Sequence, residues 1–430
     1  MINNLFKNTS LLLVSQVVIM LTGLVIQIVM ARLLMPEGRG LYALCIVYSS
    51  IIVLLTNFGN EFGIRFLLLK KKLNLSESFL FLIITAAISV IISVLILSLF
   101  GDFLQTKVLT KVSTYQILLA LFFTITTLIS KQINVLLTIS KEFKKAAFIS
   151  FFEEVLKLLL LFLLLRQFQT VETALISVII ANTVIILFYM IRFKLYVLSF
   201  KNINFFNLKF IYNYGLKSFF MSFSNLANNH LGIIILSIYL SNEKIGVYSV
   251  AFGLISRFQF IPDTLNRVFV PLSNENQKEG TDSLKLFSSF LFYLFMAIVI
   301  FLFIFGDYIV TLLFGNDYRE AGLLLKILSV GFVFKMLSKP IEAYYNEVKG
   351  KPVIISIINI FTLILLSVFM LIMSKNYGLI GASIASSFTM ILAFTALFIS
   401  FLIIERESAS GFFDFRNLLH QFKILFKIKK

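Results

Sequence analysis

Apolar runs of twenty or more residues follow one another along this chain, separated by short polar connections. A membrane-crossing helix needs about 20 mainly apolar residues. Twelve segments meet that need, at 8–34, 38–60, 77–101, 112–138, 146–166, 171–191, 216–240, 245–269, 285–305, 320–345, 353–374 and 378–404. The longest connection, 192–217, mixes Phe and Tyr with spaced Lys. That pattern suits a segment lying in the headgroup plane with Lys toward anionic lipid, although a plain basic loop fits it equally. Six spans lie on either side of it. The expected organisation is an N-terminal six-helix lobe 1–192, an amphipathic linker 193–217, a C-terminal six-helix lobe 218–404 and a basic tail 405–430.

The halves also carry traces of a repeat. "LMPEGRGLY" (34–42) aligns with "LSNEKIGVY" (240–248), pairing Leu34 with Leu240, Glu37 with Glu243, Gly40 with Gly246 and Tyr42 with Tyr248 at an offset of 206. "KQINVLLTISK" (131–141) aligns with "KPIEAYYNEVK" (339–349), pairing Lys131 with Lys339, Ile133 with Ile341 and Lys141 with Lys349 at an offset of 208. An even number of spans per half keeps both halves in one orientation. The expected fold is therefore an all-α membrane protein: twelve transmembrane helices in two lobes, related by a pseudo-two-fold axis along the membrane normal. Two such bundles around a central pathway are a transporter arrangement.

Composition agrees. The chain is 59% hydrophobic and 14% charged, with mean hydropathy +0.97, where soluble domains carry about 25% charged residues. The net charge of +17 reads as topology rather than as affinity for nucleic acid. Alternate connections hold Lys70, Lys71 and Lys72, then Lys141, Lys144 and Lys145, then Arg192, Lys194 and Lys201, and the tail adds Arg406, Lys423 and Lys427. These connections carry nearly three times as many Lys and Arg as the others. The positive-inside rule then puts both termini in the cytoplasm. No cleavable signal peptide is visible. The single cysteine, Cys45, permits no intramolecular disulfide.

Enzyme signals are missing. The histidines are His230 and His420 alone, and no zinc, nucleophile-elbow or phosphate-loop motif occurs. "PEGRG" (36–40) sits between apolar helices instead of following a strand, so it reads as a turn. The chain is expected to be no enzyme and to need no cofactor or metal.

Ionisable residues inside spans are costly and point to function. Lys131 lies ten residues before Lys141, about 15 Å along a helix. Its repeat mate Lys339 has the same relation to Lys349. Either residue lines a cavity or snorkels its stem to the inner interface. Arg65 closes "NFGNEFGIR" with Glu61 four residues back, so an ion pair competes with a substrate-facing role. Arg257 has no acid at that spacing, whereas Arg267 has Asp263 four residues back, and Pro262 predicts a kink in this span. Ser218, Ser222, Asn225 and Asn229 share one face of the seventh span, as Gln16, Gly23 and Gln27 do in the first. Such faces line a wet cavity or bond helix to helix. The candidate substrate-binding set is Arg65, Lys131, Lys339, Arg257, Gln16, Ser222, Asn225 and Asn229. Glu153, Glu154 and Lys157 read as a solvated interfacial cluster.

The motifs now carry a resemblance. "ARLLMPEGRGLYAL" (31–44) resembles the end of the first helix in bacterial polysaccharide-export proteins of the multidrug/oligosaccharidyl-lipid/polysaccharide (MOP) exporter superfamily, where A-R-x-L-G-P-x-x-x-G-x-Y is usual. "YLSNEKIGVYSVAFGL" (239–254) is similar to the matching element of the second half. "GDYIVTLLFGNDYREAGLLLKIL" (306–328) resembles the family's segment between helices nine and ten, and "GLIGASIAS" (378–386) the small-residue opening of helix twelve. The likeness covers essentially the whole chain and rests on the order of these motifs. It implies a twelve-helix, two-lobed transporter, most similar to the O-antigen flippase type. Such a protein turns a polyprenyl-pyrophosphate-linked oligosaccharide from the inner to the outer leaflet of the bacterial plasma membrane. The implied partners are that lipid-linked substrate, membrane lipids, and a polymerase and glycosyltransferases of the same pathway, with the chain itself a monomer. Met35 departs from the pattern's Gly, and the acid that many members carry near Gly232 is absent. A drug or metabolite antiporter of the same fold is the alternative, with Asp263 and Glu342 as its acid candidates. A non-transporting membrane scaffold would need no polar cavity face.

Overall fold

The computed structural model describes residues 2–107, 111–140, 142–192, 205–266, 277–349, 351–409 and 411–414, and among these every regular element is helical. Among the described residues, eight segments are long and apolar enough to cross a membrane. Two of them are too long for one crossing: Val17–Asn57 has 41 residues and Val353–Glu405 has 53. At 1.5 Å per residue these would run roughly 60 and 80 Å, against a hydrocarbon core of about 30 Å.

Each contains one break. Helix α1 (Ile2–Asn57) is interrupted at Met35, where φ is 58° and ψ 172°. Pro36 then opens the second stretch, its missing N–H costing nothing at a helix start. In the final long helix, Pro352–Glu405, the break is at Gly378, with φ 56° and ψ −132°. Both fall where hydropathy ends one span and begins the next. The turn around residues 31–44 is thus narrower than expected. Met35 alone makes it, while Gly38 and Gly40 are helical. Arg39 is buried, its guanidinium 5.3 Å from the Tyr42 ring, while Arg32 and Glu37 are exposed.

The chain divides into two compact units, 1–249 and 250–430. The first holds α1, α2 (Asn60–Leu69), α3 (Leu75–Lys107), α4 (Thr114–Ile139), α5 (Phe143–Gln167), α6 (Val171–Arg192), α7 (Phe205–Tyr239) and the start of α8 (Asn242–Ser256). Local chemistry sets the helix ends. Ser113 and Gln116 form a reciprocal capping box at α4. Asn74 and Glu77 do the same before α3. Lys111 donates to the carbonyl of Leu240, placing a cation at the negative end of α7. Burial there lowers its pKa. Gly40 of α1 and Gly246 of α8 let two backbones touch: a Cβ on Gly40 would lie 1.7 Å from the Asn242 carbonyl oxygen, and one on Gly246 1.9 Å from that of Pro36.

In the second unit α8 passes through a tight turn at Arg257–Gln259 and runs on to residue 266. The turn lies just before Pro262, whose missing N–H leaves the Phe258 carbonyl without its helical donor. Helices α9 (Gln277–Phe314), α10 (Glu320–Ala343) and α11 (Pro352–Glu405) complete the unit. The segment after α11 folds back onto α9. Lys285 pairs with Glu407 at 2.7 Å, Ser289 and Tyr293 donate to the Gly411 and Phe413 carbonyls at 2.8 Å, and Phe412 is buried. At the same end of α11 Lys349 meets Glu405 at 3.0 Å. Burial opposes the Lys349 charge, but its bonds to Glu405 and Tyr344 outweigh that and hold its pKa above the ordinary lysine range.

Candidate functional site

Three consecutive residues of α4 point three ways, because successive helical positions turn by about 100°. Ser130 faces α5, Lys131 is exposed, and Gln132 faces α2. The Gln132 side-chain oxygen accepts from Arg65 Nε at 2.9 Å and from Arg65 Nη2 at 2.6 Å. The guanidinium also stands 5.2 Å from the Phe62 ring. Gln132 thus takes the place that spacing offered to Glu61, whose carboxylate accepts from Asn57 at 2.8 Å. The Lys131 charge acts on His230 of α7. His230 Nδ1 and Gln27 Oε1 are buried, with no hydrogen-bond partner among the described residues. The side chains of Gln16, Ser222, Asn225 and Asn229 lie outside the described residues, so their expected polar faces stay a proposal.

Lys339 in the second unit is half-buried and ion-paired. Its ammonium meets Glu342 at 2.8 Å, and Ser338 donates to the other carboxylate oxygen at 2.9 Å. Lys335, one turn earlier, lies over the Phe252 ring at 5.9 Å. Asp263, near the end of α8, adds a second negative charge felt by both lysines. Asn266 ties α8 to α10 by donating to the Lys339 carbonyl at 3.2 Å. Arg257 stands half-buried in the tight turn, and Arg267 lies outside the described residues. The structure therefore groups Lys335, Lys339, Glu342 and Asp263, and separately joins Arg65 to Gln132. Sequence reasoning missed Lys335, although its i,i+4 spacing from Lys339 was a signal. It also missed Gln132, for which an uncharged residue beside Lys131 left none.

One reading is overturned. Glu153, Glu154 and Lys157 are not a solvated cluster: Glu153 is 8% and Lys157 9% exposed. Lys157 pairs with Glu153, and with Glu154 at 3.2 Å. Ser130 donates to Glu153 at 2.5 Å. With its nitrogen turned toward Glu153 at 3.3 Å, the Asn182 amide accepts from Thr127 at 2.9 Å. The i,i+4 spacing looked like a surface pair because the helices that cover it, α4 and α6, are distant in sequence.

Solved structures share this architecture. One is a multidrug resistance MATE family transporter of the MOP superfamily in its inward-facing conformation, with TM-score 0.66 and 16% identity over 93% of this chain and 100% of that one. Another is lipid II flippase MurJ, inward closed, with TM-score 0.66 and 18% identity over 99% and 92%. A Vibrio cholerae MATE transporter gives 0.58 and 15% over 96% and 98%. At these identities the likeness establishes the fold alone, a multi-helix membrane fold of the MATE type. No curated protein matches the sequence. The profile of the polysaccharide biosynthesis protein family matches residues 29–323, and the chain belongs to that family. The solved fold neighbours are described as transporters and a flippase.

Proposed function

We propose that the chain is a flippase that moves a polyprenyl-pyrophosphate-linked oligosaccharide from the cytoplasmic to the outer leaflet by alternating access. The product would feed O-antigen, capsule or other cell-surface polysaccharide synthesis. A pyrophosphate needs cationic donors within the membrane, and sugars need hydroxyl or amide groups. The observation that carries the proposal is the pair of cationic groups set within helices: Arg65 oriented by Gln132, with Lys131 nearby in sequence, and Lys335 with Lys339. The polyprenyl tail can stay in lipid while the headgroup crosses. Twelve crossings in lobes 1–192 and 218–404, cytoplasmic termini, a bacterial plasma membrane, a monomeric chain, and a polymerase and glycosyltransferases as pathway partners belong to the same proposal. In vesicles, the double variant Lys131→Ala with Lys339→Ala is expected to slow translocation of a lipid-linked oligosaccharide at least tenfold, the loss of one charge-assisted contact. A wild-type rate would sink the cation proposal.

One observation favours the cation-coupled antiporter. Glu153 and Glu154 face a single Lys157 in a buried setting, leaving one excess carboxylate where a coupling proton could bind. Glu153→Gln distinguishes the two readings. A flippase without coupling there keeps its rate, whereas an antiporter loses its dependence on the proton gradient.

A further inference from the structure

At one end of the first unit two helices run side by side as a ledge. Helix α1 stops at Asn57, and Phe58 and Gly59 follow with φ of 49° and 71°. Two successive left-handed residues break the helix, and α2 starts afresh at Asn60. With 10 residues α2 is about 15 Å long, half of a hydrocarbon core, and cannot cross. It packs instead along the first turns of α7. A Cβ on Gly63 would lie 2.8 Å from the Ile211 Cα, and one on Gly215 2.8 Å from the Phe58 carbonyl oxygen, so the two backbones touch. Phe66 stacks on Phe210 and Tyr214, with ring centroids 5.8 and 5.0 Å apart. Helix α7 has 35 residues, about 52 Å against a core of about 30 Å, so one end projects. The polar end is this one, where Lys209 and Asn213 are exposed.

The contacts pair Phe58 with Gly215, Gly63 with Ile211 and Phe66 with Phe210, so the helices are antiparallel and the end of α2 meets the start of α7. That meeting gathers Leu69, Lys70, Lys71, Lys72, Phe206 and Lys209, all exposed. Among the described residues no carboxylate pairs with any of these four lysines, whereas Lys145, Lys157, Lys285, Lys326, Lys339 and Lys349 each meet at least one. Helix α2 closes in a Schellman turn: Lys72 N–H donates to the Leu67 carbonyl at 2.9 Å and Lys71 N–H to that of Leu68 at 3.0 Å. Lys71, at φ 55°, takes the left-handed position where glycine is usual, so the chain bears strain there and keeps a charge that glycine would not supply. We infer that this ledge binds the headgroups of anionic phospholipid. Ammonium groups interleaved with outward apolar side chains, Leu69 63% and Phe206 71% exposed, are the makeup of an interfacial element. The apolar groups enter the acyl layer while the lysines meet phosphates. A soluble acidic partner would not need Leu69 and Phe206, and neutral lipid would not need lysines unmatched by acids. The Lys70 ammonium stands 5.8 Å from the Phe66 ring, so the aromatic stack helps hold that charge at the edge.

The chain has no tryptophan, so Phe206→Trp reports from the ledge alone, with Leu69→Trp in its place should that variant fail to express. Phe168→Trp, at an exposed position just after α5, is the control. Each full-length variant is placed in phosphatidylcholine vesicles that contain a minor fraction of brominated phosphatidylglycerol or, separately, the same fraction of brominated phosphatidylcholine. At Phe206→Trp the anionic lipid is expected to quench about threefold more strongly than the neutral one, and at Phe168→Trp the two should quench alike. Raised salt should shrink the difference at Phe206→Trp. Adding Lys70→Gln, Lys71→Gln, Lys72→Gln and Lys209→Gln together should abolish it, and the salt series reads the same charges should that variant fail to fold. Equal quenching by the two lipids at Phe206→Trp, the same anionic preference at Phe168→Trp, or a preference indifferent to salt or to the four substitutions would each overturn the inference. Recovery of fluorescence on adding a trace of polyisoprenyl pyrophosphate, with brominated phosphatidylglycerol in excess, would assign the ledge to a pyrophosphate-bearing lipid and overturn it as well.

Discussion

Met35 holds a backbone conformation that essentially only glycine visits, at a cost of order 1–3 kcal/mol. The pattern that the stretch resembles has glycine at this position, and the break shows why: the chain must leave one helix and enter the next within a single residue. Met35→Gly should remove that strain, less about 0.5–1 kcal/mol for the extra freedom glycine gives the unfolded chain. The expected net gain is about 1 kcal/mol, seen as a higher midpoint of thermal unfolding in detergent. An unchanged or lower midpoint would mean the surrounding helices already absorb the strain. At this scale the sequence was informative about charge and silent about partners. Lys131 and Lys339 stood out because an ammonium inside a span is expensive wherever it points. Gln132 did not, because an amide is unremarkable until another helix brings a guanidinium to it.

Glycines show the same limit one level up, between elements. In "PEGRG" they looked like turn residues, and Gly246 at the mate position seemed to repeat the turn. Both are helical instead, and they serve the α1–α8 crossing by omitting a side chain. Turn glycines and crossing glycines are the same letter, and only the approach of the second helix separates them. A Cβ 1.7 Å from a carbonyl oxygen cannot be accommodated without moving one helix. Gly40→Ala is therefore expected to destabilise by about 1–3 kcal/mol, as overpacking does. Gly101, helical and with open space for 4 Å around the place a methyl group would occupy, supplies the comparison: Gly101→Ala should be neutral or stabilising by up to about 1 kcal/mol. Equal midpoints for the two variants in thermal unfolding would show that the crossing yields freely.

Across the whole molecule, hydropathy and helix length divide the chain differently. The 53-residue helix at 353–405 is one element by hydrogen bonding and two by bilayer thickness, and the offending glycine sits where the apolar run pauses. Helix α5 is the opposite case, because it falls outside the segments that qualify by composition among the described residues. For α5 the reason is its charge: Glu153, Glu154, Lys157 and Arg166. Three of these are spent on one another inside the protein, so the cost that a composition rule assigns to them as lipid-facing charges is not incurred. Helix α5 should therefore cross. The lone Cys45 is buried, and Cys45→Ala provides a background for single cysteines at Lys144, Phe168, Arg192, Glu243, Lys351 and Tyr377, all exposed. An impermeant maleimide on intact cells is expected to label positions 168, 243 and 377, and to reach 144, 192 and 351 only after permeabilisation. Labelling of 144 and 168 from one side would remove α5 from the membrane, and the same result for 192 and 243 would remove α7. Labelling of 351 and 377 from one side would mean that residues 353–376 do not cross, although at 1.5 Å per residue they run about 36 Å, enough for a hydrocarbon core of about 30 Å.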